Sequence, residues 1–394
     1  MHYIHTHKIL EGSAYKCMRA VLLMAQRFQG RASPAKLRNR PVAMATSGDQ
    51  ASQVPEGCSG PVSLEPQITE RMRRIIGSAF SSWEVCSSNE QMFHEGPVRI
   101  GREHILCTSN VLRHNRPTTT IEIVRVNLSS GQWDTLQNHS IVMANGATAD
   151  HKGGVIICSQ GHFSGEGAGL HRLDPWTGRS EPIITKQPCS PDGDTFNSPN
   201  DVVLTRSGKL AFFSDPAYGF HQGIRAGIPD SPDAIWRVDL ENNRSRPVDL
   251  SLVKPNGVQF SPDEHVLYAT DTGYFDGAEI DPSKPRCLHK YIVDSDSGGL
   301  HHCQHFADVS EGVPDGLKCD EEGNVYAGCG SGVFIWSRGG EFIGKLLVEG
   351  GVSNFVFAGP ENRTLVMCNE TRLLACNLDV KGDLTNGIGT SPTT

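Results

Sequence analysis

Six oxygen-bearing side chains recur along the chain, each leading a similar short stretch: Glu95, Asn145, Asn200, Asn256, Asp315 and Asn354. Two carboxylates and four carboxamides offer hard oxygen donors and neither nitrogen nor sulfur. Brought together, they suit one divalent ion, Ca²⁺ first, with Mg²⁺ or Mn²⁺ as substitutes. Zn²⁺ ranks last, because it normally takes His or Cys and the six positions supply neither. Asn-Gly and Asp-Gly are also common tight-turn pairs, so at Asn145 and Asn354 turn chemistry outranks ligation. Glu95 is the exception. Glutamate is a poor turn residue, and its place at the head of a repeat calls for a functional reason.

The elements that must position these side chains are hairpins. Each leading residue opens a strand, a polar turn and a second strand, as in Asn200-DVVLTRSGKLAFFSDP and Asn256-GVQFSPDEHVLYATDT. The starts lie 50, 55, 56, 59 and 39 residues apart. A second strand–turn–strand motif follows in each interval, beginning at Arg125, Arg172, Arg237, Ile292, Phe334 and Leu374. Turn residues between short alternating runs are hairpin chemistry. Two hairpins in each of six repeats predict an all-β chain, a six-bladed β-propeller of four-stranded blades with a short helical or disordered N-terminal extension. Equivalent positions then converge on one mouth of the central channel.

Composition bounds the partners. The 394 residues carry 36 Lys+Arg against 44 Asp+Glu. Eight of the basic residues and one acid fall in the first 43 residues, which leaves an acidic body at −15. Such a surface excludes nucleic acid as the main partner, and no apolar run reaches the roughly 18 residues of a membrane span. Twelve cysteines show no C-x-x-C spacing; Cys107, Cys158, Cys319 and Cys368 fall in strand-like runs, which reads as buried free thiols. With no signal-peptide apolar region, the expected compartment is cytoplasmic, although basic residues 1–43 and five N-x-S/T sequons leave mitochondrial import and secretion open. The division expected is an extension over 1–60, disordered or absent from the mature protein, then a linker with a short helix over 61–90, then the catalytic propeller over 91–390. Ile68, Met72, Ile75, Ile76 and Phe80 mark that helix between Glu65 and Phe80.

The ordered set Glu95-Gly-Pro-Val, Ser198-Pro-Asn-Asp201, Phe213-Ser-Asp-Pro-Ala-Tyr-Gly219, Pro255-Asn-Gly-Val-Gln-Phe-Ser-Pro-Asp263, Leu267-Tyr-Ala-Thr-Asp-Thr272, Pro314-Asp-Gly316 and Phe357-Ala-Gly-Pro360 resembles the gluconolactonase–regucalcin family, especially its fungal lactonohydrolases. The resemblance spans nearly all of 95–380. It implies a divalent metal held by Glu95, Asn256 and Asp315, with Asn200 beside the metal or in contact with substrate through it, and Asp201 supporting that loop or the substrate. It also implies hydrolysis of a sugar-derived or related lactone to its hydroxy acid, with Asp315 as the base. Asn145 and the loop residue His162 are further expected substrate contacts. His94, if it lay in the strand, would alternate away from the channel, and His301, His302 and His305 fall in an outer-strand motif. Arg99 stands where the family usually has an aromatic residue.

Templates for other chemistry are missing: the sequence has no G-x-S-x-G elbow, H-E-x-x-H, P-loop or G-x-G-x-x-G. The function expected is therefore metal-dependent lactone hydrolysis by a monomer or weak homo-oligomer, with a small-molecule lactone as partner and no membrane or nucleic acid. Two alternatives stand behind it: a non-hydrolytic isomerase or cyclase using the same metal site, and a binding propeller without catalysis.

Overall fold

A computed structural model describes residues 52–53, 60–112, 119–187, 195–229, 231–295, 297–383 and 387–388. The expectations for residues 1–51 lie outside it. The chain forms six antiparallel blades in a β-propeller ring, wound from the channel outward. Their innermost strands are Glu95–Ile100, Ala144–Ala149, Val202–Leu204, Pro255–Phe260, Leu317–Cys319 and Phe355–Ala358, called here blades I to VI. Each innermost strand touches the next, and that of blade VI returns to that of blade I.

Three of the blades carry an addition or an exchange. The fourth strand of blade VI is Ser82–Ser87, which pairs antiparallel with Arg372–Asn377, so the segment before Glu95 closes the ring. The motif at Leu374 therefore supplies only a third strand, not a whole outer hairpin. Val62–Leu64 adds an outer strand to blade V, and Gly387–Ile388 pairs in parallel with Glu95–Ile100 at its Arg99 end.

The helix expected between Glu65 and Phe80 runs over Glu70–Ile76. Thr69 caps it by accepting the Met72 N–H, and Gly77, at φ +70°, ends it in the left-handed region. All five marker residues are buried even so, against Val333, Ile343, Phe355 and Met367 of blades V and VI. Between neighbouring blades the apolar faces of the sheets meet. Ile105, Cys107 and Val124 of blade I, for example, pack on Val356, Val366 and Cys368 of blade VI. Each such side chain stabilises the ring by about 1.5–3 kcal/mol relative to exposure. The nine described cysteines are all free thiols.

In every blade the second strand returns to the end at which the first began. The connections from second to third strand therefore all lie on one face, around the mouth. They are long in blades I to IV and cut to a tight turn in blades V and VI, at Gly330–Ser331 and Glu370–Thr371.

Candidate metal centre

Glu95, Asn145, Asn200, Asn256, Asp315 and Asn354 all lie at this mouth, at or just before the start of an innermost strand. Glycine follows four of them, and at three it is there for a reason other than turning. A Cβ on Gly146 would lie 2.4 Å from the Asn200 carbonyl oxygen, and one on Gly257 would lie 2.3 Å from that of Asp315. On Gly316 it would meet the Asn354 amide at 2.2 Å. These three glycines do not have positive φ. Each is bare because the leading residue of the next blade packs directly on it. The turn chemistry expected at Asn145 gives way to this: Asn145 sits inside the strand Ala144–Ala149. Asn354 lies one residue ahead of its own strand, and its Oδ1 accepts the Phe355 N–H at 2.8 Å.

Hydroxyls on the second strands tie the ring of leading residues together. Thr108 donates to the Asn145 carbonyl (3.3 Å), Ser214 to that of Asn256 (2.5 Å), and Thr270 to that of Asp315 (3.1 Å). Aspartates at the ends of the second strands set the approach. Asp215 accepts the N–H groups of Asn197 and Ser198, at 2.9 and 2.8 Å. Asp271 accepts those of Val253 and Lys254, both at 2.9 Å. Each therefore grips the chain two and three residues before an asparagine of the site. Burial pushes the Asp215 carboxyl up to about 7, against those two N–H groups.

The donor atoms themselves are strained electrically or left unpaired. Glu95 is buried, and its Oε2 accepts the Asn354 amide at 2.7 Å and the Gly96 N–H at 3.2 Å. Asp315 is pushed well above the ordinary carboxylate range by burial, by the Glu95 charge and by the hydrogen bond the two carboxyls share, with the His94 charge opposing. The Oδ1 atoms of Asn145 and Asn200 are buried without a partner. The Asn256 amide nitrogen points to the Tyr218 hydroxyl at 3.5 Å, which leaves its oxygen as the atom free for a cation. Two repelling carboxyls and orphaned amide oxygens together fit a hard divalent ion.

The other expected residues fall as follows. Asp201 is buried, and its two oxygens accept the N–H groups of Val202 (2.9 Å) and Val258 (3.2 Å), bracing blade III on blade IV. Burial raises its carboxyl to about 6; the Lys318 charge opposes this and Glu95 adds to it. His162 is exposed on the mouth-side loop of blade II. Arg99 lies at the opposite end of the channel, lining a cavity with Glu321, Glu361 and Lys381, so that departure from the family leaves the mouth untouched.

His94 does not point away. It precedes the strand, where Gly96 at φ +58° and a register shift between Glu95 and Val98 break the alternation. Its Nδ1 lies 2.8 Å from Glu370 Oε1, and Asn110 donates to Glu370 Oε2 at 3.0 Å. Burial disfavours the His94 cation, yet Glu370, with Glu95 and Asp315 behind it, carries its pKa up to about 10. Tyr218 was equally hidden in the sequence. It opens the short helix Tyr218–His221 and hydrogen-bonds Thr272 beside Asn256. Ser198 holds that helix by donating to the Pro216 carbonyl (2.5 Å) and accepting the Gly219 N–H (2.8 Å).

Residues 94–370 match the model of the SMP-30/gluconolactonase/LRE-like region. The chain belongs to that family. Over 210 residues it is 30% identical to a lactonohydrolase of Aspergillus oryzae, a match covering 50% of this chain and 47% of that protein. The chain thus spans about half the length of that relative. A gluconolactonase of Zymomonas mobilis is 25% identical over 298 residues, 72% of this chain and 77% of the relative. Among solved structures, the calcium-binding protein regucalcin of Agrobacterium tumefaciens superposes with a TM-score of 0.57 at 17% identity, covering 77% of this chain and 97% of its own. That likeness shows the fold.

Proposed function

We propose that this propeller hydrolyses a lactone to its hydroxy acid, with Glu95, Asn200, Asn256 and Asp315 holding one divalent ion, Ca²⁺ first. The observation that carries this reading is the pairing of the Glu95 and Asp315 carboxyls at a mouth that also holds the unpartnered Oδ1 of Asn200. The names of the relatives support the substrate class, and the name of regucalcin supports the ion. Such an ion, when bound, polarises an ester carbonyl and acidifies water.

The chain's own residues do the rest. Asp315 takes the proton of the attacking water at a carboxylate oxygen, as general base. Glu95 is held by Asn354 and Gly96, so it keeps one orientation while charge shifts beside it. The His94 cation, balanced on Glu370, offsets the two carboxylates at the mouth. Asn145 and Asn200 present amides to the substrate's oxygens, His162 meets it from the loop, and Asp201 supports the loop entering Asn200. Tyr218 and Thr272 fix the Asn256 amide.

The test joins ion and activity. The chelator-stripped protein is assayed for acid release on a panel of aldonic and aliphatic lactones, with divalent ions added back singly. Metal-restored hydrolysis that Asp315→Asn and Glu95→Gln both abolish supports the reading. Tight metal binding with no lactone opened would overturn it.

A further inference from the structure

A second cluster of metal-ligating side chains lies outside the channel, on the outer edge of blade IV. Its third and fourth strands are Cys287–Val293 and Leu300–Asp308. Cys287 stands opposite Asp308 and His289 opposite His305, with a bulge between those two pairs that leaves Phe306 as the extra residue. Residues three apart on a regular strand point to opposite faces. The bulge undoes this and brings Asp308 onto the face that already carries His305 and Cys303.

Ligand atoms of Cys287, His305 and Asp308 lie within 4.8 Å of one another. His305 Nε2 is 2.9 Å from Asp308 Oδ1, and Cys287 Sγ is 3.3 Å from His289 Nε2. On the other side of the same imidazole, Cys303 Sγ lies 3.6 Å from Nδ1. Cys287 is buried while His305 and Asp308 are exposed, so the floor is fixed and the entrance open. The alternative use of two thiols is excluded. Cys287 and Cys303 stand about four rungs apart, about 13 Å along the ladder, beyond the reach of a disulfide.

We propose that Cys287, His305 and Asp308 form a second cation site of the Zn²⁺ class, with His289, held between the Cys287 and Cys303 sulfurs, positioning the Cys287 thiol. Its sulfur–nitrogen–oxygen donors differ in kind from the oxygen-only set at the channel mouth, so the chain sorts two ions by chemistry. Cys287 also ends the mouth-side loop of blade IV, and an ion there pins that loop to the outer strand.

Co²⁺ provides the test on the full-length, chelator-stripped protein. One bound Co²⁺ should give a near-ultraviolet thiolate-to-cobalt band and intense tetrahedral visible bands, displaced by one equivalent of Zn²⁺. The ultraviolet band should vanish in Cys287→Ser and persist in the channel variant Glu95→Gln. His305→Ala, at an exposed position where folding is not at stake, should weaken Co²⁺ binding at least about tenfold. Absence of the band in the native chain, its survival in Cys287→Ser, or unchanged affinity in His305→Ala would overturn the proposal.

Discussion

Gly257→Ala adds one methyl group to the propeller at the point where blades IV and V meet. Its Cβ would stand 2.3 Å from the Asp315 carbonyl oxygen and 3.2 Å from both the Asp315 carbonyl carbon and the Gly316 Cα. The obstacle is backbone and cannot swing aside. Relief to ordinary contact requires the two innermost strands to part by about 1 Å, and Asp315 and Asn256 ride on those strands. Overpacking of this kind costs about 1–3 kcal/mol, a fall in melting temperature of about 1–4 °C for a chain of this size. Displacement of a reacting group by about 1 Å costs on the order of 10²-fold in turnover. Gly339→Ala is the matched control, since its nearest neighbour, the Ser337 hydroxyl, is 3.6 Å away. Both variants are to be compared by thermal melting, calorimetric metal affinity and lactone turnover. A Gly257→Ala protein that melts, binds metal and turns over like the native one would refute the claim that these glycines set the spacing of the site.

Three other outcomes are expected. Tyr218→Phe, which removes the hydroxyl shared by Asn256 and Thr272, should weaken metal affinity about 10–100-fold with little change in melting temperature; titration calorimetry reads it. The folded pKa of His94, about 10, lies above its ordinary 6.5, so its contribution to stability is complete below about pH 6.5 and lost as the pH rises toward 10. The native melting temperature should therefore decline across that window more steeply than that of His94→Gln. A chain beginning at residue 90 lacks Ser82–Ser87 and leaves the outer edge of blade VI unpaired, so it should aggregate on size exclusion where a chain beginning at residue 60 does not.

The ring was legible in the sequence because hairpins are local. Turn residues flanked by alternating runs announce each pair of strands, and six such pairs leave few architectures. The convergence of the six leading residues on one mouth was legible for the same reason, since each leads a repeat. What the glycines do was not legible: Gly146, Gly257 and Gly316 look like turn residues in the sequence, and only the neighbouring blade shows why they are bare. His94 was misjudged because its partner Glu370 is 276 positions away, joined to it only when the last blade meets the first. The fourth strand of blade VI hid for the same reason: nothing local in Ser82–Ser87 says that it pairs with Arg372–Asn377. Tyr218 sits in a connection with no period, and its role depends on Ser198 and Asp215 holding that connection down.

The closing strand also sets a clock. Ser82–Ser87 leaves the ribosome early, yet its partner Arg372–Asn377 is made about 290 residues later. At about 5–20 residues per second, the early strand waits roughly 15–60 s with its backbone unpaired. For that interval the nascent chain is an open arc whose first and last sheets each present an apolar face. A wait of that length selects for a strand that is short and tolerates solvent, and Ser82–Ser87, with Trp83 and Glu84 exposed in the finished ring, is of that kind.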